Sequence, residues 1–356
     1  MHPHLSDDAR RVIADLGPLN QRFAGKTILL TGAAGFLGCH FLHYFLALND
    51  SSLAAQPCRL LAWDNFSRGT PLWLEPLLPR PDLLCQTRDI VQKHTLPPLD
   101  FIIHAASIAS PIFYRQHPIQ TMDANVIGLR HLLDSAVARP VESFLFFSSS
   151  EIYGDPDPAN IPTPETYRGN VSCTGPRSCY DESKRFGETL CVNFCQVHHV
   201  PVKIVRPFNN YGPGLKISDR RVLPDFFRDI LAGRNIVLLS DGRATRTFCY
   251  ISDALSGYLR ALLSSHHGES FNIGADSPEI SMRDLAQLVL QISGRPLRLE
   301  HRQSDDPQYL SDNPRRRCPS LEKSRRLLGF HPCVPLPVGL ERMYQYCQAN
   351  PLAEDN

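Results

Sequence analysis

Two segments combine residue types and spacings that can do chemistry. Thr31-Gly32-Ala33-Ala34-Gly35-Phe36-Leu37-Gly38 directly follows the apolar run Lys26–Leu30. Gly32 permits a tight turn, Gly35 lets the backbone approach a pyrophosphate, and Gly38 lets the next helix pack closely on the strand. A pyrophosphate would then rest on the helix opening at Phe36 and Leu37, where free N–H groups and the helix dipole favour negative charge. The second segment, Tyr180-Asp181-Glu182-Ser183-Lys184, sets a phenol and an ammonium at i and i+4, on one face of a helix. A free phenol titrates at about 10 and is a weak base at neutral pH. A nearby ammonium, helped by a cationic nicotinamide ring, lowers it and stabilises the phenolate. The first segment can hold a dinucleotide, and the second can move a proton while that dinucleotide moves a hydride.

Neighbouring residues sharpen this expectation. The next apolar run ends in Trp63-Asp64-Asn65. An acid there accepts both hydroxyls of the adenosine ribose and repels a 2′-phosphate, which favours NAD over NADP; Arg68 nearby leaves the phosphorylated form open. Phe147-Ser148-Ser149-Ser150-Glu151-Ile152-Tyr153-Gly154 closes a later run. A hydroxyl at that strand end can bond a sugar O4. Glu151 is either a reactive acid or a strand-end acid capped by backbone N–H groups.

The elements that must position these groups follow from hydrophobic pattern. Thr27–Leu30, Arg59–Trp63, Phe101–His104, Phe144–Phe147 and Lys203–Val205 are apolar on consecutive residues, as in strands buried on both faces of a parallel sheet. Helical stretches, Phe36–Leu48, Pro118–Ala138 and Tyr180–His199, lie between them. The alternation predicts an α/β fold, a Rossmann-type doubly wound parallel sheet with ligand at the carboxyl ends of its strands. After Pro207, Pro, Gly and charge increase, and helices are expected at Val222–Ala232, Ser252–Ser264 and Met282–Ile292. The expected division is an arm over 1–24, with a helix around Asp7–Leu16, a dinucleotide-binding domain over 25–206, a smaller substrate-binding region over 207–348, and a tail over 349–356.

Bulk composition excludes several classes. The 356 residues carry 37 Lys+Arg against 36 Asp+Glu, so no global field points to nucleic acid or a membrane surface. No apolar run reaches the roughly 18 residues a membrane span needs, and the start lacks a signal-peptide pattern. The 11 cysteines include no CxxC pair and no zinc-like spacing, so reduced thiols, no metal and a cytoplasmic location are expected.

With these segments in view, the chain resembles the extended short-chain dehydrogenase/reductase family that modifies nucleotide sugars, and within it the UDP-glucuronate decarboxylases. The resemblance runs from about Lys26 to Tyr346. It is carried by Ser107-Ile108-Ala109-Ser110-Pro111 with Tyr114 and Pro118, Ser149-Ser150-Glu151-Ile152-Tyr153-Gly154-Asp155-Pro156, Gly175-Pro176-Arg177-Ser178-Cys179-Tyr180-Asp181-Glu182, Arg206-Pro207-Phe208-Asn209-Asn210-Tyr211-Gly212-Pro213, Asp305-Asp306-Pro307 and Arg317-Cys318-Pro319-Ser320.

The resemblance implies roles. Tyr180 is the base at O4, Lys184 its helper, and Ser149 bonds O4. Ser150, Glu151 and Arg317 occupy the positions that handle the carboxylate and the proton exchange at C5. Asn209 and Arg246 meet the diphosphate, and Tyr114 and Arg221 line the substrate. Besides the glycine loop, Asp64 and Asn65, the NAD site includes Asp89, Ile90, His104, Ala105, Ala106, Ser107, Tyr180, Lys184, which could bond the nicotinamide ribose, and Pro207, with Asn125 in support. The implied reaction oxidises C4, loses CO₂ from the resulting β-keto acid and re-reduces C4, with no net redox change. The planar fork of Arg317 suits a carboxylate partner.

Sugar 4,6-dehydratases carry Asp-Glu where this chain has Ser150-Glu151, and plain 4-epimerases usually lack an acid at Glu151. A decarboxylase that stops at the 4-keto pentose is not separated by these residues. A non-catalytic NAD-sensing scaffold, the alternative of another class, is disfavoured by the intact Tyr180 and Lys184. Ser218-Asp219-Arg220-Arg221 and Leu238-Leu239-Ser240 depart from the family pattern where the nucleotide base would lie. Apolar faces on Pro118–Ala138 and Tyr180–His199 predict a four-helix homodimer interface.

Overall fold

In the computed structural model, which describes residues 2–304, 311 and 313–350, the expected apolar runs form the core of one sheet. The segment Asp305-Asp306-Pro307 and the chain beyond 350 lie outside the described residues. Strands β1 (Thr27–Thr31), β2 (Arg59–Asp64), β3 (Leu83–Thr87), β4 (Phe101–His104), β5 (Ser143–Phe147) and β6 (Val202–Pro207) are joined by a seventh strand, Ser270–Ile273. The sheet is parallel throughout, in the order Ser270–Ile273, β6, β5, β4, β1, β2, β3. Strand order reverses at β1, between β4 and β2, and the crevice there is where a doubly wound sheet binds ligand.

Two strands escaped the sequence pattern. Leu83–Thr87 lies at the sheet edge, and only its first residue is buried, so its apolar stretch is no longer than Leu83-Leu84-Cys85. Ser270–Ile273 carries the buried polar Asn272, whose side chain and backbone N–H bond Thr163 and Glu165. The chain therefore returns to the sheet after Pro207, where its composition changes.

The leading arm forms part of the core. Helix α1 (Pro3–Leu16) starts earlier than expected and buries Leu5, Ala9, Val12 and Leu16, a one-face spacing. It packs on α2 (Phe36–Asn49) and on the helix Ile251–Leu263. On the other face of the sheet, Leu129, Leu132 and Leu133 and the helix residues Cys191 and Phe194 enclose Ile102, Phe144 and Phe146. The first three belong to a continuous helical run, Pro118–Asp123, a π turn Ala124–Gly128, and Leu129–Ala138. The last two belong to the long helix Ser178–His198, where Gly187 permits close approach: a Cβ there would lie 2.6 Å from the Phe146 ring.

Beyond Pro207 the helices Val222–Leu231, Ile251–Leu263 and Met282–Ser293 form within a residue or two of expectation. Thr245–Arg246 sits between Ile280–Ser281 and Arg316–Arg317, with Arg246 in register beside Arg317. No described helix is long and apolar enough to cross a membrane.

Candidate active site

The carboxyl ends of β1, β2, β4 and β5 open into a cleft of about 2280 Å³ that runs on beneath the region after Pro207. Its wall includes Gly32, Gly35, Phe36, Leu37, Asp64, Asn65, Asp89, Ile90, Ala105, Ala106, Ser107, Tyr114, Ser149, Ser150, Glu151, Tyr180, Lys184, Pro207, Asn209, Arg221, Arg246 and Arg317. Of the expected site residues, only Gly38, His104 and Asn125 lie behind it.

The glycine loop has the geometry its spacing implied. Gly32 sits at φ +73°, and a Cβ there would strike the Ala105–Ala106 backbone at 2.7–2.8 Å. Gly38 is a packing glycine, because a Cβ would lie 2.5 Å from the Gly32 carbonyl oxygen. A Cβ on Gly35, by contrast, would meet only the Gly32 carbonyl oxygen, at 3.2 Å. No side chain caps α2 at Gly35, so the N–H groups of its first turn are left for a ligand. Asp64 closes β2 and accepts from the N–H groups of Ala34 (2.9 Å) and Phe66 (2.8 Å). Burial raises its pKa, and those two bonds oppose the rise.

Among the described residues, the side-chain hydroxyls of Ser107, Ser148 and Tyr114 are buried without a hydrogen-bond partner, although all three line the cleft. With the free helix end and the glycine cradle, these donors fit a bound dinucleotide. His104 lies off the cleft wall. Its Nδ1 lies 2.8 Å from Thr31 Oγ1 inside the sheet, and burial, with the Lys184 charge, pushes its pKa down to about 3. Asn125 supports the helix from behind, donating to Ser183 Oγ at 2.9 Å.

Tyr180 and Lys184 share one face of their helix, and both are buried. Lys184 Nζ lies 5.7 Å from the Tyr180 ring centre and donates to the Phe147 carbonyl at 2.8 Å. Burial pushes its pKa down to about 7. Tyr180 departs from expectation in the protein alone. Burial pushes the phenol up to about 12, while a hydrogen bond with Ser149 and the charge of Arg221 act the other way. The Tyr114 ring stacks on that of Tyr180, with centres 5.0 Å apart.

Glu151 lies on the turn Ser150–Tyr153, which Ser149 caps by accepting from the Glu151 N–H at 3.2 Å. Its Oε2 accepts from Arg317 Nη2 at 2.6 Å and from Arg177 Nη2. Burial opposes its charge, but the guanidiniums of Arg177, Arg317 and Arg246 outweigh that and hold its pKa below the usual glutamate value. Asp181 lies on the far side of Arg177, 3.6 Å from its Nε. Burial and the Glu151 charge push the Asp181 pKa up to about 7.

Sequence reasoning gave Arg177 and Asp181 no role. Their signal was position, since both stand within one helical turn of Tyr180. Arg246, on the cleft wall, is engaged by its own chain in the free protein. It donates to the carbonyls of Thr245 (2.7 Å), Arg315 (3.2 Å) and Pro314 and to Asn313 Oδ1 (3.1 Å), so it orders the segment that presents Arg317. Asn209 similarly receives Arg317 Nη1 at 3.4 Å.

A parallel sheet with this loop, this Tyr/Lys pair and this cleft defines a dinucleotide-binding α/β protein. The chain belongs to the NAD dependent epimerase/dehydratase family, whose model matches residues 28–274. It is 35% identical over 316 residues to UDP-glucuronic acid decarboxylase 3 of Arabidopsis thaliana, covering 89% of this chain and 87% of that one. It is 36% identical over 323 residues to UDP-glucuronic acid decarboxylase 1 of Xenopus tropicalis, covering 90% and 72%. Among solved structures it is similar to UDP-glucuronic acid 4-epimerase from Bacillus cereus in complex with UDP-glucuronic acid and NAD. That similarity has a TM-score of 0.76 and 26% identity, and covers 91% of this chain and 99% of that one.

Proposed function

We propose that this chain is an NAD-dependent UDP-glucuronate decarboxylase that forms UDP-xylose or its 4-keto pentose. The observation that carries this reading is an ionised Glu151 with two guanidiniums on one oxygen, next to the Tyr180 phenol in the same cleft. The planar forks of these arginines suit carboxylates, which fits a sugar that bears an acid. NAD, when bound, supplies the oxidant and later the reductant at C4, and the C4 ketone is what lets the adjacent carboxylate leave as CO₂.

The residues of the chain do the rest. Tyr180 takes the O4 proton and returns it, with Ser149 aligning O4 through the hydroxyl that already bonds the phenol. Lys184 steadies the phenolate. Arg317 holds the sugar carboxylate, and Glu151, with Ser150 beside it, handles the proton exchange at C5. Asn209, Arg221 and Arg246 fall on the substrate side of the cleft, where the diphosphate and nucleotide would lie. Gly32, Gly35, Asp64, Asn65, Asp89, Ile90, Ala105, Ala106, Ser107 and Pro207 line the dinucleotide half.

The working form is a homodimer built on Pro118–Ala138 and Ser178–His198. Phe186, 49% exposed, and Val197, 66% exposed, form an apolar stripe suited to a second copy. The many free thiols suit a reducing cytoplasm. Incubation with UDP-glucuronate, UDP-glucose and UDP-N-acetylglucosamine, followed by NMR of the products, tests the activity. Only UDP-glucuronate should react, with loss of CO₂. A C4-inverted product that retains its carboxylate would establish an epimerase instead.

A further inference from the structure

Glu151 Oε2 receives two guanidiniums that come from different places in the fold. Arg317 sits on the two-residue strand Arg316–Arg317, paired only with Thr245–Arg246. Arg177 stands at the amino end of the helix that carries Tyr180. Its carbonyl accepts the N–H groups of Tyr180 (3.0 Å) and Asp181 (3.1 Å), so it is built into the same turn as the phenol. Both arginine side chains are 11% exposed, and the Nε of each is buried without a hydrogen-bond partner among the described residues. Two buried cations thus share one carboxylate oxygen. Arg246 adds charge nearby, but its own donors are committed to residues 313–315 and Thr245. Asp181 is a longer partner of Arg177, 3.6 Å from its Nε, and its Oδ1 has no hydrogen-bond partner among the described residues.

We propose that Arg177 is the resident partner of Glu151, a positioning residue that keeps this carboxylate in place when Arg317 turns to the carboxylate of an acid-bearing sugar. The inference rests on the decarboxylase reading. Its logic is electrostatic. A buried carboxylate that loses its partner is strongly penalised, so Glu151 releases Arg317 only if a second guanidinium remains. Without Arg177, an incoming carboxylate would place two anions on one guanidinium. With Arg177, each carboxylate has its own. Arg177 thereby selects for a charged sugar without touching it.

The test measures binding by calorimetry to NAD-loaded protein in a Tyr180→Phe background, in which turnover is slow. The ligands are UDP-glucuronate and UDP-xylose, the latter lacking the carboxylate. Adding Arg177→Met is expected to weaken UDP-glucuronate about tenfold or more while changing UDP-xylose by less than about twofold. Arg177→Gln, uncharged but still a donor, should show the same selective loss if the methionine variant does not fold. Equal losses for both ligands, or none for UDP-glucuronate, overturn the role of Arg177. If protein with Arg177 intact neither binds UDP-glucuronate nor, with Tyr180 restored, releases CO₂ from it, the decarboxylase reading fails instead.

Discussion

Lys184 carries two opposed demands. Its ammonium must sit beside a phenol in a dry cleft, and burial there pushes its pKa down to about 7 from an ordinary 10.5. Between those values the unfolded chain binds a proton that the folded chain does not, so stability rises with pH across that window. Below about pH 7 both states are protonated and the full cost of the buried charge remains. Lys184→Met should therefore raise the melting temperature at pH 6–7 by about 2 °C or more, with the gain shrinking towards pH 10. It should also cut kcat by about 10²-fold or more, a trade of stability against function. Thermal unfolding across pH, without added NAD, checks the first effect; a melting temperature unchanged or lowered at pH 6 contradicts it. Tyr180→Phe should lower kcat by about 10²–10⁴-fold and leave NAD affinity nearly unchanged, as read by equilibrium dialysis. Glu151→Gln should likewise keep NAD and slow CO₂ release by at least about 10²-fold, whereas wild-type turnover would remove Glu151 from the chemistry.

At the scale of elements, the glycine loop and the helix of Tyr180 are tied to the sheet by close contacts that have no substitute. Gly38→Ala would drive a methyl against the Gly32 carbonyl, 2.5 Å away. An overpacked contact of that kind costs about 1–3 kcal/mol. It should lower both the melting temperature and NAD affinity. A second tie crosses the cleft. Asp219 accepts from Arg68, on the loop after β2, at 2.6 Å and lies 2.8 Å from Arg221 Nε. Ser110 Oγ donates to its carbonyl at 2.7 Å. Asp219→Asn should loosen this tie and speed NAD release by about tenfold, measured by chase with excess unlabelled dinucleotide; an unchanged rate would show that the tie does not retain the cofactor. Elements with strict patterning were legible in the sequence: five strands, the loop and the long helices. Leu83–Thr87 was not, because an edge strand needs no long apolar run, and Ser270–Ile273 was not, because its polar Asn272 is satisfied by partners distant in sequence. At the site, the positions of Tyr180, Glu151 and Arg317 could be read from spacing and resemblance. The raised phenol pKa and the place of Arg177 could not, since both depend on burial and on contacts between segments far apart in the chain.

Across the whole molecule, the apolar stripe on Ser178–His198 and the partly exposed Ile119 and Ile127 face outward from the helices that hold Tyr180 and Asn125. Burying them between two copies would brace the helix that carries the phenol. If the proposed dimer forms, Phe186→Glu should convert it to monomer at micromolar concentration, seen by light scattering. A wild-type protein already monomeric there would refute the interface. Everything in the mechanism converges on one event, loss of the sugar carboxylate while C4 is oxidised. The most direct measurement is NMR of the purified protein with UDP-glucuronate ¹³C-labelled at the carboxyl carbon. Labelled CO₂ should appear in step with an unlabelled UDP-pentose, one for one. Full retention of the label in the nucleotide sugar, whatever happens at C4, would contradict it.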